Sequence, residues 1–132
     1  MTEVVLVLGS NVEPERNLDA AMVELKMRWT VLKQSQRYLT AALEPAPPYV
    51  NQAVLIDCQP GQELKPLLRE IEAKLGRIRP APVGHLCPID IDAVASWPPL
   101  CVLDEKSWQA SYLQLLMPEI MAWFADTPAT TP

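Results

Sequence analysis

Asp90 and Asp92, in the segment Pro88-Ile89-Asp90-Ile91-Asp92, are the residues whose type and spacing most clearly suggest chemistry. Side chains two residues apart on a β-strand share one face, so the two carboxylates would lie side by side while Ile89 and Ile91 enter a core. Adjacent carboxylates repel, and a hard cation such as Mg²⁺, bound together with substrate phosphates, would offset that repulsion. An amphipathic strand with a polar face toward solvent has the same pattern, and the short D-x-D spacing does not decide between the two.

Other polar residues could also bind a ligand, and each has an ordinary structural alternative. Arg77 and Arg79 could stabilise a helix end, and Glu72 could pair with Lys74 or Arg69 on a helix surface. Ser10 and Asn11 are common turn residues. Asparagine is unusual in a strand, which favours a binding role for Asn51. His85 has no Cys or Asp partner at metal spacing, and no His and Asp pair is evident for Ser10, which argues against a hydrolase triad.

The elements that must position these residues alternate between strand and helix patterns. Apolar runs and alternation predict strands over residues 4–8, 31–39, 49–58 and 89–94, and 3/4 spacing predicts helices over 14–29 and 64–75. The first helix has a stripe formed by Leu18, Ala21, Met22, Leu25 and Trp29, and Gly76 is placed to end the second. In the third strand Tyr49, Asn51, Ala53 and Leu55 share a face. A short strand over 100–103 and a last helix, capped by Ser107 and interrupted by Pro118, complete the pattern.

This order predicts an α+β fold of the ferredoxin-like type, β-α-β-β-α-β, with an additional C-terminal helix. Four antiparallel strands would have helices on one face, and the other face would be free to build a site. The length of 132 residues predicts one domain over 1–125, with 126–132 as a flexible tail.

Charge and composition exclude some classes of function. Residues 1–79 contain ten basic and ten acidic side chains, whereas residues 80–132 contain six acidic and one basic, so the net charge of −5 falls in the C-terminal part. The chain has no basic stripe, which argues against nucleic-acid binding. It has no signal-like or membrane-spanning segment, and its cysteines Cys58, Cys87 and Cys101 suit a reducing compartment, so we expect a cytoplasmic protein without membrane contact.

Five motifs in order give the chain a resemblance to a known family. They are Gly9-Ser10-Asn11, Tyr38-Leu39-Thr40, Tyr49-Val50-Asn51, Glu72 with Gly76-Arg77-Ile78-Arg79, and Ile89-Asp90-Ile91-Asp92. Their order and spacing resemble the 6-hydroxymethyl-7,8-dihydropterin pyrophosphokinase (HPPK) family of folate biosynthesis, over residues 4–94 and more weakly over 95–122. The resemblance implies transfer of a pyrophosphoryl group from ATP to the pterin hydroxymethyl group, with two Mg²⁺ ions.

The resemblance also implies roles for individual residues. Asp90 and Asp92 would hold the metals as catalytic residues together with Arg77, and the nucleotide would contact Glu72, Arg77 and Arg79. Asn51 would bind the heteroatom edge of the pterin, beside the backbone around Thr40 and Leu43. Tyr49 and Tyr112, the latter in place of a family phenylalanine, would stack on the ring. Without the resemblance, both tyrosines would be assigned to the core.

Departures from the family pattern are concentrated at the nucleotide site. The family places a Trp-Gly-Pro-Arg-type loop before the aspartates, whereas residues 80–88 here have no tryptophan or arginine and Cys87 replaces the phosphate-binding arginine. Further family Arg and Pro-His positions are occupied here by Pro99, Leu103-Asp104 and Ala110. Three lost arginine–phosphate contacts would cost about 5 kcal/mol, roughly several thousandfold in affinity or rate.

Two functions on this fold therefore remain, and an interaction protein that uses neither ligand is a third alternative. The first is a divergent pyrophosphokinase with a weakened ATP site, and the second is a catalytically degenerate pterin-binding or regulatory protein on the same fold. A small-molecule pterin is the partner in both, and the sequence does not indicate a protein partner.

Overall fold

The computed structural model describes residues 1–41, 46–82 and 84–126. The strands are β1 (Thr2–Ser10), β2 (Thr30–Gln34), β3 (Tyr38–Thr40), β4 (Tyr49–Cys58), β5 (Asp90–Trp97) and β6 (Cys101–Val102). The helices are α1 (Pro14–Arg28), α2 (Leu64–Lys74), α3 (Glu105–Trp108) and α4 (Leu113–Asp126). No helix among these described residues is long and apolar enough to cross a membrane.

The strands form one antiparallel sheet in the order β2-β4-β1-β5-β6. The sixth strand, β3, pairs with residues 49–51 of β4, while β2 pairs with residues 54–57. The part β2-β4-β1-β5, combined with α1 and α2, is the predicted ferredoxin-like βαββαβ arrangement. The strand β1 pairs with β4 on one side and β5 on the other, because its continuous apolar sequence suits a position at the centre of a sheet.

One hydrophobic core lies between the sheet and helices α1 and α2. The predicted stripe of α1 enters it, together with Leu68 and Ile71 of α2. The sheet contributes alternate residues to the same core, including Leu6 of β1, Ile56 of β4 and Ile91 of β5. Gly76 has a φ of 101° just after α2, in the left-handed region that a helix-ending glycine adopts, as its position predicted.

A second core covers part of the opposite face, which the sequence pattern had left free. Helix α4 packs Leu116 and Ile120 against Val5 and Val7 of β1 and against Leu55 of β4. Because β1 and β4 are apolar on both faces, leaving this face uncovered would expose a large hydrophobic area. The face that was expected to be free to build a site is therefore free only in part, at the end where β1 finishes and β5 begins.

Other local predictions need correction. Residues 31–39 form two strands, because the Ser35 hydroxyl accepts the Ala53 N–H at 2.8 Å and so interrupts the ladder between them. Ser107 does not cap the last helix. Asp104 caps α3 instead, accepting from the Ser107 N–H at 3.1 Å.

Pro118 lies inside α4 and does not interrupt it. As the sixth helical residue it removes one backbone hydrogen bond, and the apolar face of the helix compensates for that loss by packing on the sheet. Asp126 is the last residue of α4, so the tail predicted to begin there is helical at its first residue. Residues 127–132 lie outside the described part of the chain.

Candidate functional site

A cavity of about 440 Å³ opens at the uncovered end of the sheet. Its walls contain every described residue that the sequence assigned to the pterin, the metal or the catalytic arginine: Thr40, Tyr49, Asn51, Arg77, Asp90, Asp92 and Tyr112. The walls also contain Arg79 and Cys87. Leu43, which was predicted to bind the pterin, lies outside the described residues.

The register of the sheet places the site residues of β4 and those of β5 on either side of the end of β1. Gly9 pairs with Asn51 of β4 and with Asp90 of β5, and Val7 pairs with Asp92. Ile89 and Ile91 are buried in the opposite core, which confirms the predicted alternation around the aspartates. Asn51 and both aspartates therefore point to the face that holds the cavity.

Asn51 is held in one orientation at the floor of the cavity. Only 5% of its surface is exposed, and its Nδ2 donates to the Thr40 hydroxyl at 2.5 Å. A Cβ on Gly9 would lie 2.9 Å from Asn51 Oδ1 and 3.3 Å from Tyr49 Cδ2. The glycine of the first motif is therefore needed for the close approach of β1 to these two side chains.

The two tyrosines lie at different walls of the cavity. Tyr49 is half-buried with its hydroxyl against the Cys87 thiol, and burial followed by the influence of Cys87 raises its pKa to about 12. Tyr112 also packs against the second core, and burial raises the pKa of its hydroxyl. Both hydroxyls are thus neutral at physiological pH, so the rings present uncharged surfaces to the cavity.

The carboxylates differ in environment although they are neighbours on β5. Asp90 Oδ1 accepts from Arg77 Nη1 at 2.7 Å. Burial, followed by the charge of Asp90, raises the pKa of Asp92 from its ordinary 3.8 to about 8. The described residues contain no cluster of three or more His, Cys, Asp or Glu side chains that could hold a metal ion.

Two carboxylates are nevertheless a suitable donor set for Mg²⁺. This ion is usually bound by one or two protein carboxylates and completes its octahedron with waters and substrate phosphates. Burial is the main cause of the raised pKa of Asp92, and the charge of Asp90 adds to it; a cation bound between the two carboxylates would offset that repulsion. The residues that are present therefore fit the metal.

Glu72 is a buried anchor for both arginines. With 3% of its surface exposed, it accepts from Arg79 Nη2 at 2.9 Å and from the Ile91 N–H at 2.8 Å, and lies 3.1 Å from Arg77 Nη1. The alternative pairings with Lys74 or Arg69 were wrong, and Lys74 pairs with Glu24 at 2.6 Å. Because its oxygens already have partners, Glu72 orients Arg77 and Arg79 from behind.

A groove of about 580 Å³ continues from the aspartates past the arginines. Its ionisable lining residues are five acids and four bases: Glu72, Asp90, Asp92, Asp104, Glu105, Lys65, Arg69, Arg77 and Arg79. Because Asp92, with a pKa of about 8, is largely protonated at pH 7, the other four acids balance the four bases and the groove has no net charge. Two of the four bases are already paired with Glu72. The groove therefore offers little free positive charge to a polyphosphate.

Asn11, which was treated as a turn residue, connects β1 to the segment before β5. Its side chain accepts from the Cys87 N–H at 2.6 Å and donates to the His85 carbonyl at 3.0 Å. Its own N–H donates to the Cys87 carbonyl at 3.0 Å. These contacts join residues more than seventy positions apart, so no local pattern could have indicated them, and only the Gly-Ser-Asn motif gave a signal.

The fold and this site together define a class: a small ferredoxin-like domain with a cavity beside paired carboxylates and an arginine-bearing groove. The sequence model of the 7,8-dihydro-6-hydroxymethylpterin-pyrophosphokinase (HPPK) family matches residues 5–122, and the chain belongs to that family. This confirms the resemblance found in the sequence. The family's function is that of a pterin pyrophosphokinase in folate biosynthesis, with pterin, ATP and Mg²⁺ as its small molecules. A search of curated proteins finds no match to the chain.

Proposed function

We propose that the protein binds 6-hydroxymethyl-7,8-dihydropterin in the 440 Å³ cavity and transfers pyrophosphate to it from ATP in a Mg²⁺-dependent reaction, with a weakened nucleotide site. The observation that supports this is the convergence of Thr40, Tyr49, Asn51 and Tyr112 on one cavity with Asp90 and Asp92 at its wall. Family membership supports the same reaction class.

The pterin half of the site is proposed to act through shape and one fixed amide. Because Asn51 Nδ2 donates to Thr40, its Oδ1 is available to accept from the N–H groups at the edge of the heterocycle. The neutral rings of Tyr49 and Tyr112 suit offset stacking on a flat ligand. Buried hydrogen bonds with defined direction give such a pocket its specificity.

The phosphate half is proposed to use Asp90, Asp92 and the two arginines. Mg²⁺ held by Asp90 and Asp92 would neutralise charge on the transferring phosphates. Arg77 and Arg79 would bind phosphate oxygens, and Glu72 would orient both guanidinium groups. Positioning of this kind is the main contribution that a protein makes to phosphoryl transfer.

A specific observation favours the second candidate, a pterin-binding protein without catalysis. The groove has no net positive charge, Asp104 and Glu105 line it, and Cys87 is buried against Tyr49. Burial raises the pKa of the Cys87 thiol, which makes it a poor substitute for a phosphate-binding arginine. Loss of nucleotide affinity with retained pterin binding would follow.

The deciding experiment measures AMP release with MgATP and 6-hydroxymethyl-7,8-dihydropterin, alongside pterin binding by fluorescence quenching. AMP release that saturates with pterin supports the enzyme, and saturable binding without AMP above background supports the second candidate. Asn51→Ala should weaken pterin binding by about tenfold or more. Asn17→Ala, on α1 away from the cavity walls, is the matched control and should leave binding unchanged. Absence of pterin binding to the unaltered protein would refute both candidates.

The one-domain organisation over 1–125 and a cytoplasmic location remain proposals. Their support is the shared sheet that both cores cover and the three unpaired cysteines, Cys58, Cys87 and Cys101.

A further inference from the structure

The end of β1 has a feature that the proposed reaction does not use. Asn11 follows the strand directly and is 8% exposed. Its amide oxygen, its amide nitrogen and its backbone N–H all bind backbone groups of residues 85–87. One side chain thus fixes two peptide units of a proline-rich segment that lies outside the helices and strands.

The fixed segment forms part of the cavity wall. His85, Leu86 and Cys87 line the cavity, and Cys87 is 7% exposed with its thiol against the Tyr49 hydroxyl. A continuous path therefore runs from Asn11 through the Cys87 backbone and thiol to Tyr49. Movement of the segment would remove the thiol that contacts the Tyr49 hydroxyl.

Only an asparagine satisfies this arrangement fully. Its Oδ1 accepts from the Cys87 N–H while its Nδ2 donates to the His85 carbonyl. An aspartate could still accept but could not donate, and an alanine could do neither. Removing the amide would leave a buried N–H without its acceptor, which favours displacement of the segment.

We propose that Asn11 is a positioning residue for the pterin pocket: it holds residues 85–87 so that the Cys87 thiol stays against the Tyr49 hydroxyl and keeps that side chain in place at the cavity wall. The inference rests on the proposed pterin site. It gives the Gly9-Ser10-Asn11 motif two separate tasks. Gly9 makes room for Asn51 and Tyr49, and Asn11 fixes the segment whose Cys87 thiol contacts the Tyr49 hydroxyl.

The test measures dissociation constants for 6-hydroxymethylpterin and, separately, for MgAMPPNP. Asn11→Ala should weaken pterin binding by about tenfold, and Asn11→Asp, which keeps the acceptor, should fall between it and the unaltered protein. The dissociation constant for MgAMPPNP should change by less than about twofold, because neither Asn11 nor residues 85–87 line the groove. Asn17→Ala is the matched control for loss of an asparagine amide near the same turn.

A double-mutant cycle with Cys87→Ala separates positioning from a general effect on stability. If Asn11 acts through Cys87, the pterin-binding losses of Asn11→Ala and Cys87→Ala should be strongly non-additive. If Asn11→Ala does not fold, Asn11→Asp takes its place in the cycle. Additive losses, equal weakening for both ligands, or a pterin dissociation constant within twofold of the unaltered protein would each overturn the inference. Failure of the unaltered protein to bind pterin would instead identify the proposed function as the error.

Discussion

Replacing Arg77 with glutamine should tighten the binding of a divalent cation at Asp90 and Asp92 when no nucleotide is present. Arg77 Nη1 lies 2.7 Å from Asp90 Oδ1, 3.1 Å from Glu72 Oε2 and 3.3 Å from the Ile89 carbonyl. The guanidinium therefore occupies one of the two carboxylates that the proposed metal would use. A cation must compete with it.

The expected gain in cation affinity follows from the exposure of the ion pair between Arg77 and Asp90. A hydrogen bond to a charged group contributes about 1.5–3 kcal/mol. The Arg77 side chain is 20% exposed and the Asp90 side chain 37%, so solvent screening reduces the contribution toward the lower value. About 1.5 kcal/mol corresponds to roughly tenfold in affinity. The same substitution should weaken binding of MgAMPPNP, because Arg77 is also proposed to hold phosphate oxygens.

Titration with Mn²⁺, followed by the electron paramagnetic resonance signal of the free ion, measures the first effect directly. Arg69→Gln is the matched control, because Arg69 lines the same groove and its replacement removes the same charge. We expect Mn²⁺ affinity to rise about tenfold for Arg77→Gln and less than threefold for Arg69→Gln. Equal effects of the two variants would refute the idea of direct competition at Asp90.

Three further outcomes are expected. Gly9→Ala should lower the unfolding free energy by about 1–3 kcal/mol and weaken pterin binding, because the added Cβ would lie 2.9 Å from Asn51 Oδ1. An unchanged Tm together with an unchanged dissociation constant would contradict this. In the metal-free protein the pKa of Asp92 is about 8 when folded and about 4 when unfolded, so the folded state favours the protonated carboxyl. Its contribution to the free energy of unfolding is therefore full below about pH 4 and is lost as the pH rises through 8. Asp92→Asn should therefore stabilise the metal-free protein by about 2 kcal/mol at pH 9 and little at pH 4, as urea unfolding at both values can check. Leu116→Ala should lower the unfolding free energy by about 2–5 kcal/mol, and a loss below 1 kcal/mol would contradict the packing of α4 on the sheet.

Local periodicity predicted the elements that form the site. Tyr49–Cys58 has the predicted bounds, and the alternation of Ile89 and Ile91 with Asp90 and Asp92 has the predicted faces. The period-2 pattern predicted these faces correctly because only Ile89 and Ile91 enter an apolar core, which fixes the orientation of the strand. The register that brings Asn51 and Asp90 beside Gly9 could not be derived from any single strand.

The predictions that failed depended on distant contacts. Nothing local indicates that α4 covers the second face or that Pro118 is tolerated within it, because both follow from packing against β1 and β4. The partners of Glu72 were assigned to neighbours on its helix, whereas its contacts with Arg79 and the Ile91 N–H require the turn after α2 and the start of β5. The role of Asn11 depends on a contact across more than seventy residues.

The position of Gly9 between two paired strands bears on how the site moves. Amides in a strand that is bonded on both sides and buried between two cores normally exchange with solvent only when the whole protein opens. The three strands that hold Asn51 and Asp90 should therefore open only when the whole protein unfolds. A ligand would enter a preformed slot about 10 Å wide, which is two strand spacings. Arg77, Arg79 and Asp104, in contrast, lie in connections outside the strands, where substitutions are tolerated more easily. The residues of the groove can thus be substituted without disturbing the cavity floor that the strands form.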